Sequence, residues 1–140
     1  MKPNDKLKAE LVEKWLEKAE EDFGLAEHLL AEKTPYLEAV GFHCQQAAEK
    51  YLKAFLVFHQ IPFPKTHDLD ELLELIANPA QILADSLREI IVLSKYSVEI
   101  RYPGDFPELT LAQSKQALKL ARKVRDQILP LLKKPPKRFR

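Results

Sequence analysis

Apolar side chains return every third or fourth residue along most of this 140-residue chain, the spacing of one face of an α-helix. Leu7, Leu11, Trp15, Ala19, Phe23, Ala26 and Leu30 define a first long amphipathic helix, and Pro35 stops it. The pattern resumes from about Leu37 to His59 as a second helix. It ends before Ile61-Pro62-Phe63-Pro64, where two prolines hold the backbone extended. Asp68, with Glu71 three residues on, forms a capping box for a short helix through Ile76. Asn78 as N-cap and Pro79 at the first helical position predict a fourth helix that ends near Arg101, ahead of Pro103 and Gly104. Thr110 with Gln113 caps a fifth, which runs to about Leu129 with Pro130 marking its end.

Four long helices, each with an apolar stripe that needs a partner, and one short helix predict an all-α fold. The arrangement expected is an antiparallel up-and-down four-helix bundle with one additional short helix. Composition agrees, since only 3 glycines stand among many Leu, Ala, Glu and Lys, and 46% of residues are hydrophobic. The bundle is expected over residues 1–130. Residues 131–140 form a basic, Pro-rich tail carrying Lys133, Lys134, Lys137, Arg138 and Arg140, read as a solvated end that can touch nucleic acid. The 22 Lys+Arg nearly balance 21 Asp+Glu, for a net charge of +1. That excludes a surface built wholesale to neutralise phosphates, while leaving room for a local basic patch.

The single Cys44 forms no intramolecular disulfide, and no Cys or His stands near it at zinc-ligand spacing. No metal and no cofactor are expected, and a reducing cytoplasm is the expected compartment. The amino terminus, Met1-Lys2-Pro3-Asn4-Asp5, opens no apolar secretion segment. No apolar run approaches the roughly 18 residues needed to cross a bilayer.

Candidate chemistry comes from polar residues on the wrong faces. At about 100° per residue, Asp22 projects among Trp15, Ala19, Ala26 and Leu29. Arg101 falls in line with Leu83, Leu87, Ile90, Ser94 and Val98. A buried carboxylate needs a cation or several donors, so an Asp22–Arg101 ion pair is expected, either fixing helix register or forming a polar site for a ligand or RNA. On the second helix His43, Gln46, Lys50 and Lys53 share roughly a quarter of the circumference, opposite Val40, Cys44, Ala47, Ala48, Tyr51 and Phe55. That arc reads either as an ordinary solvated face or as a phosphate site, with Lys50 and Lys53 as cations and His43 as donor. Gln45, at the arc's edge, is placed to hydrogen-bond a neighbouring helix.

The fourth helix carries a second stripe, Ile82, Leu93 and Ile100, away from Leu83, Leu87, Ile91 and Val98. Either this helix is central to the bundle or its outer face meets a second copy, and a twofold dimer is the expectation. No catalytic motif for a nucleophile elbow, P-loop or zinc protease is present. Cys44 and His43 diverge by about 100° and do not pair as nucleophile and base. His67, just before a helix N-terminus, is placed either to contact an anion or to cap the loop. His28 and His59 fall in no interpretable pattern, and Glu20-Glu21 is too ordinary a pair to signal acid–base work.

Four ordered blocks carry a resemblance. Ala19-Glu20-Glu21-Asp22, the run from Phe42 through Gln45, Gln46 and Lys50 to Ala54, Pro64-Lys65-Thr66-His67-Asp68-Leu69, and Glu99-Ile100-Arg101-Tyr102-Pro103 together resemble the HEPN domain family. The likeness spans about Trp15 to Leu129. It implies an up-and-down bundle similar to the substrate-binding domain of kanamycin nucleotidyltransferase, and a homodimer. It also implies a minimal nucleotidyltransferase as partner, the two acting as a nucleotide-binding or toxin–antitoxin pair.

Other members of the family are metal-independent ribonucleases that use an Arg followed four to six residues later by a His. Here Arg101 is placed like the motif arginine, but Tyr102 to Pro107 follow it and no histidine occurs after His67. The usual partner for proton transfer at a ribose 2′-hydroxyl is therefore missing. The sequence points first to a nucleotide-binding module with His43, Gln46, Lys50, Lys53, His67 and Arg101 as candidate ligands and Asp22 with Arg101 organising the polar core. A ribonuclease toxin with Arg101 at a dimer interface is the alternative.

Overall fold

The computed structural model describes residues 3–97 and 108–132. Within them the chain forms α1 (Pro3–Ala31), α2 (Leu37–Phe58), α3 (Leu69–Ala77), α4 (Gln81–Ser86), a 3₁₀ helix (Arg88–Tyr96) and α5 (Leu111–Leu132). No strand occurs among the described residues. The all-helical architecture is the expected one, a bundle with shorter helices added.

α1 and α2 end before the prolines that the sequence offers as stops. Thr34 N–H donates to Leu29 and Lys33 N–H to Leu30, and at the next end Ile61 donates to Leu56 and Gln60 to Val57. Each is a Schellman closure, which places one residue in the left-handed region. Lys33 (φ 56°) and Gln60 (φ 57°) take that position where glycine is usual, so in this glycine-poor chain the carbonyl bonding outweighs a penalty of about 1–2 kcal/mol. Asp68 caps α3 by accepting from Asp70 N–H. Thr110 and Gln113 form the reciprocal capping box of α5, each side chain bonding the other's backbone N–H. Pro130 does not end α5, which continues to Leu132.

The fourth helix departs most from expectation. Asn78 is the C-cap of α3, Ala80 stands at the N-cap of the next helix, and the segment breaks at Leu87 into a six-residue α-helix and a nine-residue 3₁₀ helix. The tighter winding changes the phase on which the two-stripe reading relied. Leu93 is fully buried with Leu87 and Ile90, whereas Ile82 is 86% exposed, so no common outer stripe joins them. Ile100, Val98 and Arg101 lie outside the described residues, as do positions 133–140 of the basic tail.

α2 is the central element. It packs most extensively against α1 and α5 and also meets α3 and the 3₁₀ helix. Val40, Cys44, Ala47, Ala48, Tyr51 and Phe55, the apolar side that the periodicity picks out, are all buried, and so are Leu52 and Ala54 outside it. At Gly41 a Cβ would lie 2.9 Å from Leu109 Cδ2 and 3.2 Å from Tyr96 Cγ; the missing side chain lets the 3₁₀ helix and the start of α5 close on α2.

Candidate functional site

The polar arc of α2 is not a solvated face. Of its four residues Gln46 and Lys53 are buried, with Gln45 and Glu49 beside them, whereas His43 and Lys50 are part-exposed at the border with α1. Buried polar groups require partners. Among the described residues no buried side-chain nitrogen or oxygen lacks one.

The inner centre is built on Glu49, whose side chain is 3% exposed. Lys53, one turn further along α2, donates to Oε2 at 2.8 Å. Gln45, one turn back, donates to Oε1 at 3.0 Å, and His67 Nδ1 reaches Oε1 at 2.9 Å. Gln45 also donates to the His67 carbonyl at 3.2 Å, and Gln46 donates to Gln45 Oε1 at 3.1 Å. Burial pushes the Glu49 carboxyl up. The bonds from Lys53, Gln45 and His67, with the charge of Lys53, together outweigh it and hold the group below its ordinary value. The Lys53 ammonium is also roofed by aromatic rings, 5.5 Å from the Trp15 centroid and 5.7 Å from that of Phe63. Trp15 and Phe63 meet edge to face at 6.2 Å, so the Pro62–Pro64 segment is clamped onto α1 and α2 above a fully paired cation.

The outer centre is built on Asp22 of α1. Lys50 donates to Oδ2 at 2.6 Å and His43 Nδ1 lies 2.9 Å from Oδ1. Asp22 is 13% exposed, Lys50 23% and His43 25%. Asp22 is half-buried where the stripe predicted burial, and within the described residues its cations come from α2. Arg101, the expected partner, lies outside them. Both imidazoles face an ionised carboxylate through Nδ1, so Nδ1 carries the proton and donates, and Nε2 is left as the acceptor of the neutral ring.

A third polar group joins α1, α2 and α5. Arg125 donates to both oxygens of Glu20, at 2.8 and 3.3 Å, and the Tyr51 hydroxyl donates to the same carboxylate. Burial raises the Glu20 carboxyl, and the bonds from Arg125 and Tyr51 then bring it below the ordinary value. Burial, followed by the bond to Glu20, pushes the Tyr51 phenol up, so it stays a donor. From the sequence Glu20 reads as part of an ordinary carboxylate pair and Arg125 was not singled out; only their meeting across α1 and α5 distinguishes them. Cys44 is buried, with its thiol pushed up to about 12 by burial, as an inert core residue requires.

The structure thus brings His43 and Lys50 together on Asp22, and Lys53 and His67 together on Glu49. Among the described residues no group of three or more His, Cys, Asp or Glu is placed to hold a metal ion, and no helix is long and apolar enough to cross a membrane.

These features define an all-helical bundle whose central helix carries a seam of paired polar residues along the line of the Gln45-Gln46-Ala47-Ala48-Glu49-Lys50 motif. A family model for the HEPN domain matches residues 12–131, and the chain belongs to that family. Among solved structures it is similar to the crystal structure of an archaeal HEPN homologue. The identity is 25% and the TM-score 0.67, over 87% of this chain and 98% of the other. No curated protein matches the chain.

Proposed function

We propose that this HEPN protein is a nucleotide-binding module that acts with a minimal nucleotidyltransferase in a toxin–antitoxin-like pair. The outer centre is its phosphate-facing site, with His43, Lys50 and, across Gln46, His67 toward the ligand. One observation carries the reading. Of the cations on the polar arc, Lys50 is the one whose ammonium sits at a half-open centre, whereas Lys53 is enclosed by Glu49, Trp15 and Phe63. An exposed flank with imidazole and ammonium donors suits a phosphate, which accepts several charge-assisted hydrogen bonds. Lys53 serves the fold beneath it. A homodimer and a cytoplasmic setting accompany this reading.

Calorimetric titration with ATP, together with co-purification alongside a minimal nucleotidyltransferase, tests it. Saturable binding that weakens about tenfold in Lys50→Ala, the loss of one charge-assisted hydrogen bond, is expected, with the melting temperature little changed. Absence of saturable binding in the wild type sinks the proposal. Metal-independent turnover of RNA in the same preparations would instead favour the ribonuclease alternative, for which the motif arginine is Arg101.

A further inference from the structure

Among the described residues the charges along the α2 seam cancel. Asp22 is matched by Lys50 at 2.6 Å and Glu49 by Lys53 at 2.8 Å, so the four ionised groups sum to zero. Among the described residues each lysine is paired with its own carboxylate. An anion approaching the seam meets ammonium groups whose field is already offset by carboxylates a hydrogen bond away, and its net Coulomb attraction is small. What the seam does hold is two imidazoles, His43 and His67, each fixed through Nδ1 on one of those carboxylates. Each leaves Nε2 to take a proton.

Resting on the reading of this seam as the phosphate site, we propose that it is a proton-coupled anion site, binding a phosphate ligand together with protons taken up on His43 and His67. Protonation changes the sum from zero to as much as two positive charges without moving a backbone atom. Each imidazolium stays on its carboxylate through Nδ1–H and turns a second N–H donor, at Nε2, toward the ligand. A bound phosphate and a buried carboxylate on opposite edges of one ring both favour the charged form.

Among the described residues, these groups face the two rings. His43 meets Asp22 from α1, Lys50 from its own helix, and the edge of the Phe42 ring at 5.2 Å between centroids. His67 meets Glu49 and, through it, Lys53 of α2. On the α3 side Asp68 is engaged with the Asp70 N–H, and Asp70 with Arg88 of the 3₁₀ helix. The carboxylates bonded to each ring favour its protonation, while Lys50 and Lys53 oppose it. A ligand that adds negative charge tips that balance.

Linkage makes the claim quantitative, because affinity must fall as pH rises, by up to about tenfold per pH unit for each proton taken up. Titration calorimetry of the full chain with ATP at pH 8, where the terminal phosphate carries no proton, in buffers of differing ionisation heat counts the protons directly. Sulfate, which exchanges no proton in this range, serves as a second probe. About one proton or more taken up per ATP is expected, reduced in His43→Gln and in His67→Gln and abolished in the double variant. Imidazole Cε1–H resonances followed by NMR should shift to higher pKa on saturation. ATP binding with no proton uptake and a flat pH profile overturns the coupling while leaving the phosphate site standing. Absence of binding by either probe from pH 5.5 to 8.5 removes the site and the coupling with it.

Discussion

Two centres of the same composition, a carboxylate with one lysine and one histidine, stand on adjacent faces of α2. Around Glu49 the carboxylate is 3% exposed and its lysine 8%, while the histidine is 57% exposed. Around Asp22 all three residues are between one-eighth and one-quarter exposed. The difference teaches what each centre is for. A buried carboxylate held by three side chains from α2 and the segment before α3 is an anchor, because removing its lysine strands a charge away from water. A carboxylate at a half-open seam holds its partners in place yet lets them exchange with solvent, since water can replace any one of them.

The largest test of that difference is deletion of the two carboxylates in turn. Glu49→Ala leaves the Lys53 ammonium enclosed and unpaired, and should cost about 3–5 kcal/mol of unfolding free energy. Asp22→Ala should cost about 1 kcal/mol or less, because Lys50 and His43 retain a route to water. Urea denaturation of both variants measures the pair of values, and equal losses would erase the distinction.

Acid sharpens it next. The folded state holds the Glu49 carboxyl below its ordinary value of 4.5, so the unfolded chain binds that proton more readily. The resulting stabilisation is fully present above about pH 4.5 and is lost as the pH falls through the folded-state value. Wild-type protein should therefore lose stability on acidification through this range more steeply than Glu49→Gln, which has no proton to take up. Melting temperatures measured from pH 6 to 3 give the two slopes; parallel curves would show that Glu49 is not a main acid-sensitive anchor.

The smallest effect is in salt. Raising ionic strength from 0.1 to 1 M shortens the screening length from about 10 to 3 Å and acts chiefly on charges that reach solvent. The coupling between Asp22 and Lys50, measured by a double-mutant cycle with Asp22→Asn and Lys50→Gln, should shrink by a few tenths of a kcal/mol. The Glu49–Lys53 coupling, measured the same way, should hold. A salt response of the same size at both centres would mean that Glu49 is better hydrated than its packing suggests.

Much of the bundle was legible before any coordinates. The 3.6-residue periodicity located α1, α2 and α5, and the Thr110–Gln113 box marked the start of α5 to the residue, because these signals are local in the backbone. The fourth helix failed for the opposite reason. Asn78-Pro79 is a good start signal, but the pull of Leu87, Ile90 and Leu93 into the core rewinds the chain as 3₁₀ turns, and packing outweighs a local preference of that size. Prolines were read as helix stops where Schellman closures at Lys33 and Gln60 end the helices earlier, and Pro130 lies within a helix it was expected to end.

The candidate site was half legible. Asp22 was recognisable as a polar residue on an apolar stripe, and the His43–Gln46–Lys50–Lys53 arc as a group. Their partners were not, because an angle on a helical wheel says which way a side chain points and nothing about what stands there. Arg101, the cation the stripe suggested for Asp22, lies outside the described residues, while His43 and Lys50 reach Asp22 from α2, which the wheel did not foretell. Glu49 drew no attention at all, since an i, i+4 Glu–Lys pair is ordinary on a solvated helix.

The order of side chains along the chain by itself determined the helical class, the core face of each long helix and the family, since each depends on neighbours a few residues apart or on motif spacing. Only the tertiary structure decided which lysine is buried and which is available. Lys50 and Lys53 are three residues apart on one stripe, chemically identical and indistinguishable by periodicity. Trp15 from one side and Phe63 from the other close over Lys53 and leave Lys50 at the open edge. The cost of burying an ammonium depends on what surrounds it in space, and that information is not local to any stretch of sequence.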